Sequence, residues 1–156
     1  CNYKYMYLIG EGIDYHKLAP CKSTNVVLGG IKIPSKYKIV AHSDGDLVYH
    51  AIANAILGAL QLGDIGDYFS DKKKKNKNLN SRAIIDYALY QLKNKKIQNI
   101  DLTIICDKIL LSKYKAKIRN NLIKITKCKL VNIKATRFEE NKNLIGCKVV
   151  LLVGSK

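Results

Sequence analysis

Side chains that ligate metals or move protons are sparse in this chain, and their positions are informative. Of its three histidines, His16 stands two residues after Asp14, while His42 and His50 flank the acidic turn "SDGD". In extended backbone an Asp-x-His pair sends both side chains to one side, because strand side chains alternate. Asp14, His16 and His50 are then one oxygen and two nitrogen donors from two separate elements. A catalytic zinc takes that number of protein ligands, leaving a fourth position for water or a substrate oxygen. Taken singly, Asp14-x-His16 also reads as a surface turn, and His50 as a histidine on a helix's wet face. The run from His42 to Asp71 holds five of the twelve Asp and Glu residues of a chain with 28 Lys and Arg. Such a concentration of acid calls for a chemical reason.

The elements that must position these groups follow from periodicity. Tyr5 to Ile9 reads as a short strand, after which "GEGID" is expected to turn the chain towards Asp14. Asn25 to Ile33 reads as two β segments around Gly29-Gly30, with Pro34 ending the second. Asp46 caps, or sits in the first turn of, a helix over Leu47 to Leu60. Val48, Ala51, Ile52, Ala55, Ile56 and Ala59 form its apolar stripe. Asp46, His50 and Asn54 form a second stripe, which gives His50 a polar neighbour one turn away on each side. "GDIGDYF" is then a loop in which Asp64 lies between glycines, where backbone amides can approach a ligand.

Phe69 to Asn80 is a lysine-rich loop, and Asn80 or Ser81 starts a second helix buried through Ile84, Ile85, Ala88, Leu89 and Leu92. A strand over Asn99 to Cys106, a loop over Asp107 to Ser112 and a helix from about Lys113 to Ile125 come next. Strands over Leu130 to Thr136 and Lys148 to Val153 close the chain. This order predicts an α+β fold in one domain over residues 1–156, a single mixed β-sheet with helices packed on one face.

A length of 156 residues gives room for one core. The net charge of +16 would attract nucleic acid, anionic membrane or phosphorylated small molecules. The lysine runs at 72–75, 93–96 and 113–117 read as solvated surface, and no nucleic-acid motif or aromatic platform accompanies them. No membrane-length apolar run or signal pattern is present. Cys1 in place of Met leads us to expect a trimmed N-terminus. Five scattered cysteines without a CxxC pair fit a reducing, intracellular compartment.

"GEGIDYHKL", "HSDGDLVYHAIANAILGALQLGDIGDYFSD", "NIDLTIIC" and "VNIKAT" resemble, in order and over nearly the whole chain, the 2-C-methyl-D-erythritol 2,4-cyclodiphosphate synthase family. The resemblance implies a homotrimer with sites between subunits and no nucleic-acid or membrane partner. It implies a phosphorus–oxygen lyase of the non-mevalonate isoprenoid pathway, which cyclises 4-diphosphocytidyl-2-C-methyl-D-erythritol 2-phosphate and releases CMP. By position, Asp14, His16 and His50 would hold Zn2+. Glu139 would hold a second divalent ion, Mg2+ or Mn2+, that comes with the substrate. His42 and Arg137 fall at catalytic positions. Substrate positions are Asp14, Tyr15, His16, His42, Ser43, Asp64, Ile65, Gly66, Phe69, Ser70, Asp71, Lys72 and Lys73. Cys106, Asp107, Lys108, Ile109, Leu110, Leu111 and Ser112 would form the cytosine pocket, with Thr136, Arg137, Phe138 and Glu139 beside it.

The chain departs from the family in places. Asn54 replaces the usual Asp, Ile109-Leu110 replaces Pro-Lys, and Arg137-Phe138 replaces two threonines. Cys147 falls where an arginine often lines the trimer's central cavity. These changes leave open a diverged, weakly active or inactive homologue serving as a binding or structural subunit. A metal-dependent phosphohydrolase of another fold is a further alternative. The Lys, Asn, Ile and Tyr bias implies an AT-rich genome and leads us to expect a plastid-type organelle (apicoplast or chloroplast stroma), with bacterial cytoplasm as the alternative.

Overall fold

The computed structural model describes residues 6–41, 44–69, 80–139 and 143–156. Among these, five strands form one sheet in the order β2-β1-β5-β3-β4. They are β1 (Leu8–Leu28), β2 (Ile31–Val40), β3 (Lys95–Cys106), β4 (Val131–Thr136) and β5 (Leu144–Ser155). β3 and β4 run parallel, and the other neighbours are antiparallel. The helices are α1 (Leu47–Ala59), α2 (Ile65–Tyr68), α3 (Ser81–Gln91) and α4 (Lys115–Thr126). The α+β class and the mixed sheet agree with the periodicity.

"GEGID" does not turn the chain. β1 runs through it unbroken, and its glycines serve a different purpose. A Cβ on Gly10 would collide with the Ala55 carbonyl, and one on Gly12 with the Ala51 carbonyl. Helix α1 lies directly on the strand there, so small residues are required on both sides of the contact. Alternation along β1 then decides the faces. Gly10, Gly12, Asp14, His16 and Leu18 turn inward, while Ile9, Glu11, Ile13, Tyr15 and Lys17 turn outward and are exposed.

The β1–β2 hairpin closes through Gly29 and Gly30, both at positive φ between the Leu28–Ile31 pair, as a two-residue hairpin turn requires. Pro34 does not end β2. It sits inside an edge strand, where a missing N–H on the open side costs no ladder bond.

Asp46 joins this turn to α1. Its carboxylate accepts from Val48 N and Tyr49 N as the helix cap, and from Gly29 N at 2.8 Å and Gly30 N at 2.7 Å. Asn121 of α4 donates to Gly29 O at 2.7 Å and to the Tyr49 hydroxyl. The core between sheet and helices is one cluster that includes Leu28, Ile52, Ile56, Ile100, Leu102, Ile104, Ile118, Leu122 and Val149. No helix among the described residues is long and apolar enough to cross a membrane.

Candidate functional site

Asp14 and His16 reach the inner face from β1, and His50 meets them from the first turns of α1. His16 Nε2 lies 3.2 Å, and His50 Nδ1 3.1 Å, from Asp14 Oδ2. One ligand atom from each residue fits within a 4.8 Å cluster. Burial of Asp14 opposes its ionisation, yet His16 and His50 beside it hold the carboxyl below the usual range. His16 Nε2 is buried without an aligned hydrogen bond. A buried imidazole nitrogen whose near neighbour is a carboxylate that also faces a second imidazole has the donor chemistry of a divalent-metal site. The three residues fit a divalent ion.

The second stripe of α1 is arranged differently from the periodicity reading. Asp46 and Asn54 do not flank His50 as partners. Asp46 is fully buried under the hairpin turn, where burial pushes its carboxyl up to about 6 against its four amide donors. Asn54 Oδ1 instead accepts from Ile65 N at 2.9 Å, an acceptor role that amide and carboxylate perform alike. The partner of His50 Nε2 is Ser81 Oγ at 2.9 Å, and Ser81 Oγ in turn meets Asp44. Neither Ser81 nor Asp44 stood out in the sequence, because a serine at a helix start and an aspartate in a turn read as local caps.

"GDIGDYF" contains the one-turn helix α2. Asp64 caps it by accepting from Gly66 N and Asp67 N, while Asp67 accepts from Asp64 N. This reciprocal pair leaves Asp64, Gly66 and Asp67 exposed, with Ile65 and Phe69 half-buried beside them.

A second concavity lies at the far edge of the sheet. Cys106, Asp107, Lys108, Ile109, Leu110, Leu111 and Ser112 line a cavity of about 360 Å³ together with Lys115, Ala135, Thr136 and Arg137. Ile109 and Leu111 are buried anchors, whereas Leu110 is 66% exposed. The buried Cys106 thiol, pushed up by its burial, takes bonds from the Lys108 and Ile109 amides. The loop thus keeps its shape through apolar anchors and backbone groups without the family's Pro-Lys pair. Asp107 Oδ2 accepts from Phe138 N at 3.0 Å and so ties the loop to the segment after Thr136.

The cavity and the triad are separate places in one chain. Asp14 pairs with Cys147, Cys147 with Ile104, and Ile104 with Ala135. By the same register His16 pairs with Ile145 and Ile145 with Cys106, so two strand spacings, about 10 Å along the sheet, part the triad from the cavity's near edge and three part it from Ala135. Glu139, exposed and at positive φ, is not among the clustered ligands of the triad. Tyr15 faces outward, opposite to Asp14 and His16. Gly146 pairs with it, and a Cβ there would meet the Tyr15 ring at 3.0 Å and the Phe138 ring at 3.3 Å. Cys147 does not line the outer face. Its thiol is buried among the inward groups and pushed up by that burial, while its neighbour Lys148 points outward beside Glu11. His42, Ser43, Ser70, Asp71, Lys72 and Lys73 lie outside the described residues.

The YgbB family model matches residues 7–153. The chain belongs to the YgbB family. A 2-C-methyl-D-erythritol 2,4-cyclodiphosphate synthase from Mycoplasmoides gallisepticum is 42% identical over 149 residues, covering 94% of this chain and 96% of that one. A synthase of the same name from Leptospira borgpetersenii is 42% identical over 139 residues, 86% of each chain. Among solved structures, a Plasmodium falciparum protein described as an IspF CDP complex superposes with a TM-score of 0.82 at 31% identity. It covers 96% of this chain and 97% of its own. The family resemblance carried by the sequence motifs is thereby borne out. The two synthases come from bacteria and lend no support to the expected plastid-type organelle.

Proposed function

We propose that this protein converts 4-diphosphocytidyl-2-C-methyl-D-erythritol 2-phosphate to 2-C-methyl-D-erythritol 2,4-cyclodiphosphate and CMP. An oxygen of the 2-phosphate attacks the β-phosphorus of the diphosphate. The bond from that phosphorus to the bridging oxygen breaks, and CMP leaves with the oxygen. Such a reaction depends on alignment and on stabilising charge at the transferred phosphorus. The observation that carries this reading is the convergence of Asp14, His16 and His50 in a chain of this family.

Asp14, His16 and His50 would hold Zn2+, and Glu139 a second ion, Mg2+ or Mn2+. Bound metal supplies polarisation of the diphosphate oxygens. The protein's own share is positional. The Cys106–Ser112 loop would receive the cytosine through backbone groups, and Arg137, with Thr136 beside it, would meet phosphate oxygens. His42 and Ser43 would close on the reacting phosphates, Asp64 with Ile65 and Gly66 on the methylerythritol part, and Phe69 to Lys73 on the wall beyond.

The separation of triad and cavity across the sheet favours sites shared between subunits of a homotrimer. The outward face supports assembly too, since it leaves Ile9 72% and Val150 40% exposed, a surface that association would cover. We read residues 1–156 as one domain working in bacterial cytoplasm.

The test is CMP release from the diphosphocytidyl substrate by the purified oligomer. Release is expected with Zn2+ and Mg2+ supplied and is abolished by chelation. No release above background from metal-loaded trimer would favour the diverged binding subunit, a reading that Arg137 and Phe138 in place of two threonines keep open. A monomer by sedimentation would sink the shared-site arrangement.

A further inference from the structure

The side chain behind the triad deserves a role of its own. Ser81, the first residue of α3, is fully buried. Asp44 accepts the Ser81 backbone N–H at 3.2 Å and 3.3 Å through its two oxygens, and one of those oxygens also meets Ser81 Oγ. On its other side Ser81 Oγ lies 2.9 Å from His50 Nε2.

A carboxylate can only accept, and a serine hydroxyl has one proton to give. With that proton on Asp44, the remaining Ser81 Oγ lone pairs require a donor, so His50 Nε2 must carry hydrogen. His50 Nδ1 faces a second carboxylate, Asp14 Oδ2 at 3.1 Å, which in the empty site also calls for a hydrogen. The Asp44–Ser81 pair holds the ring's hydrogen on Nε2 against that demand, which leaves the Nδ1 lone pair for a cation.

We propose that Asp44 and Ser81 are positioning residues. They hold the His50 ring in the Nε2–H tautomer, with the Nδ1 lone pair aimed at the cation position shared with Asp14 and His16. The proposal rests on the metal reading of that triad. Partners of this kind orient ligating histidines and raise their basicity, and their loss typically weakens metal binding by about 10- to 100-fold.

Two measurements test it without reference to turnover. The first is ¹⁵N NMR of the histidine rings in metal-free protein at about pH 9, above the ordinary imidazole range. The wild-type His50 ring should show Nε2–H. In Ser81→Ala the proton should move to Nδ1, where Asp14 is the remaining acceptor, and Ser81→Thr should restore the wild-type pattern. The second is chelator competition for zinc, in which Ser81→Ala should bind about 10- to 100-fold more weakly. Asp44→Asn, which no longer forces the serine proton outward, should weaken binding in the same direction. A folded Ser81→Ala protein with an unchanged tautomer, or with unchanged zinc affinity, overturns the proposal. A wild-type chain that takes up no zinc overturns the metal reading itself, whatever Ser81 does to the ring.

Discussion

The triad and the cavity at the far edge of the sheet are built on different principles. The triad is made of side chains whose directions are set by strand alternation and by helix α1 pressed onto Gly10 and Gly12. Each member has little freedom, because a shift of one residue in β1 would turn Asp14 and His16 to the opposite face. The cavity is lined mainly by a loop held by Ile109, Leu111 and the Asp107–Phe138 bond. Side chains there change cheaply as long as the anchors stay apolar. Of the departures from the family resemblance, Ile109-Leu110, Arg137 and Phe138 belong to the cavity side, whereas Asn54 and Cys147 lie on elements beside the triad, α1 and β5.

Substitutions at four positions test this contrast. His50→Ala should have the largest effect, taking CMP release to background and removing tight zinc binding. Retained zinc in that variant would break the assignment of the triad. Gly12→Ala comes next, because its methyl group would meet the Ala51 carbonyl. A loss of about 1–3 kcal/mol is expected in urea unfolding, and a neutral result would show that α1 can lift from β1 at no cost.

Asp46→Ala should cost about 2 kcal/mol, since four amides lose a buried acceptor. The pH dependence of this residue has a definite sign. Its carboxyl titrates at about 6 in the fold against 3.8 as the ordinary value, so the folded chain holds more protons in that window. The contribution is fully present below pH 3.8 and is lost as pH rises through about 6. The difference in unfolding free energy between wild type and Asp46→Asn should therefore shift against the wild type across that window. A constant difference would show that the four amides keep the carboxylate ionised.

Asp107→Ala should do least to the fold, about 1 kcal/mol or less. It should act mainly on KM for the cytidyl substrate, with kcat changed less. A large fall in kcat alone would mean that the cavity segment takes part in the chemistry as directly as the triad does.

Much of the triad could be read from the sequence because its information is local. Asp14-x-His16 in extended backbone must share a face, and helical spacing places His50 in the first turns of α1, although that helix is buried nearly all round and has no wet face there. The α+β class followed from the same periodicities. "GEGID" misled for a physical reason: glycine serves tight turns and close backbone contacts equally well, and only the helix above β1 decides between them. Pro34 misled similarly, because whether a proline ends a strand depends on the strand lying at the sheet's edge.

By itself the sequence determined the donor set, the face on which Asp14 and His16 stand, the apolar stripe of α1 and the family. The tertiary structure alone decided which polar groups meet across long separations. It gave His50 the hydroxyl of Ser81, with Asp44 behind it, and took Asp46 away to the Gly29-Gly30 turn. It also set the triad and the near edge of the cavity two strands apart. Periodicity fixes which way a side chain points along its own element, but a partner on another element depends on sheet order and helix docking, which no local pattern encodes.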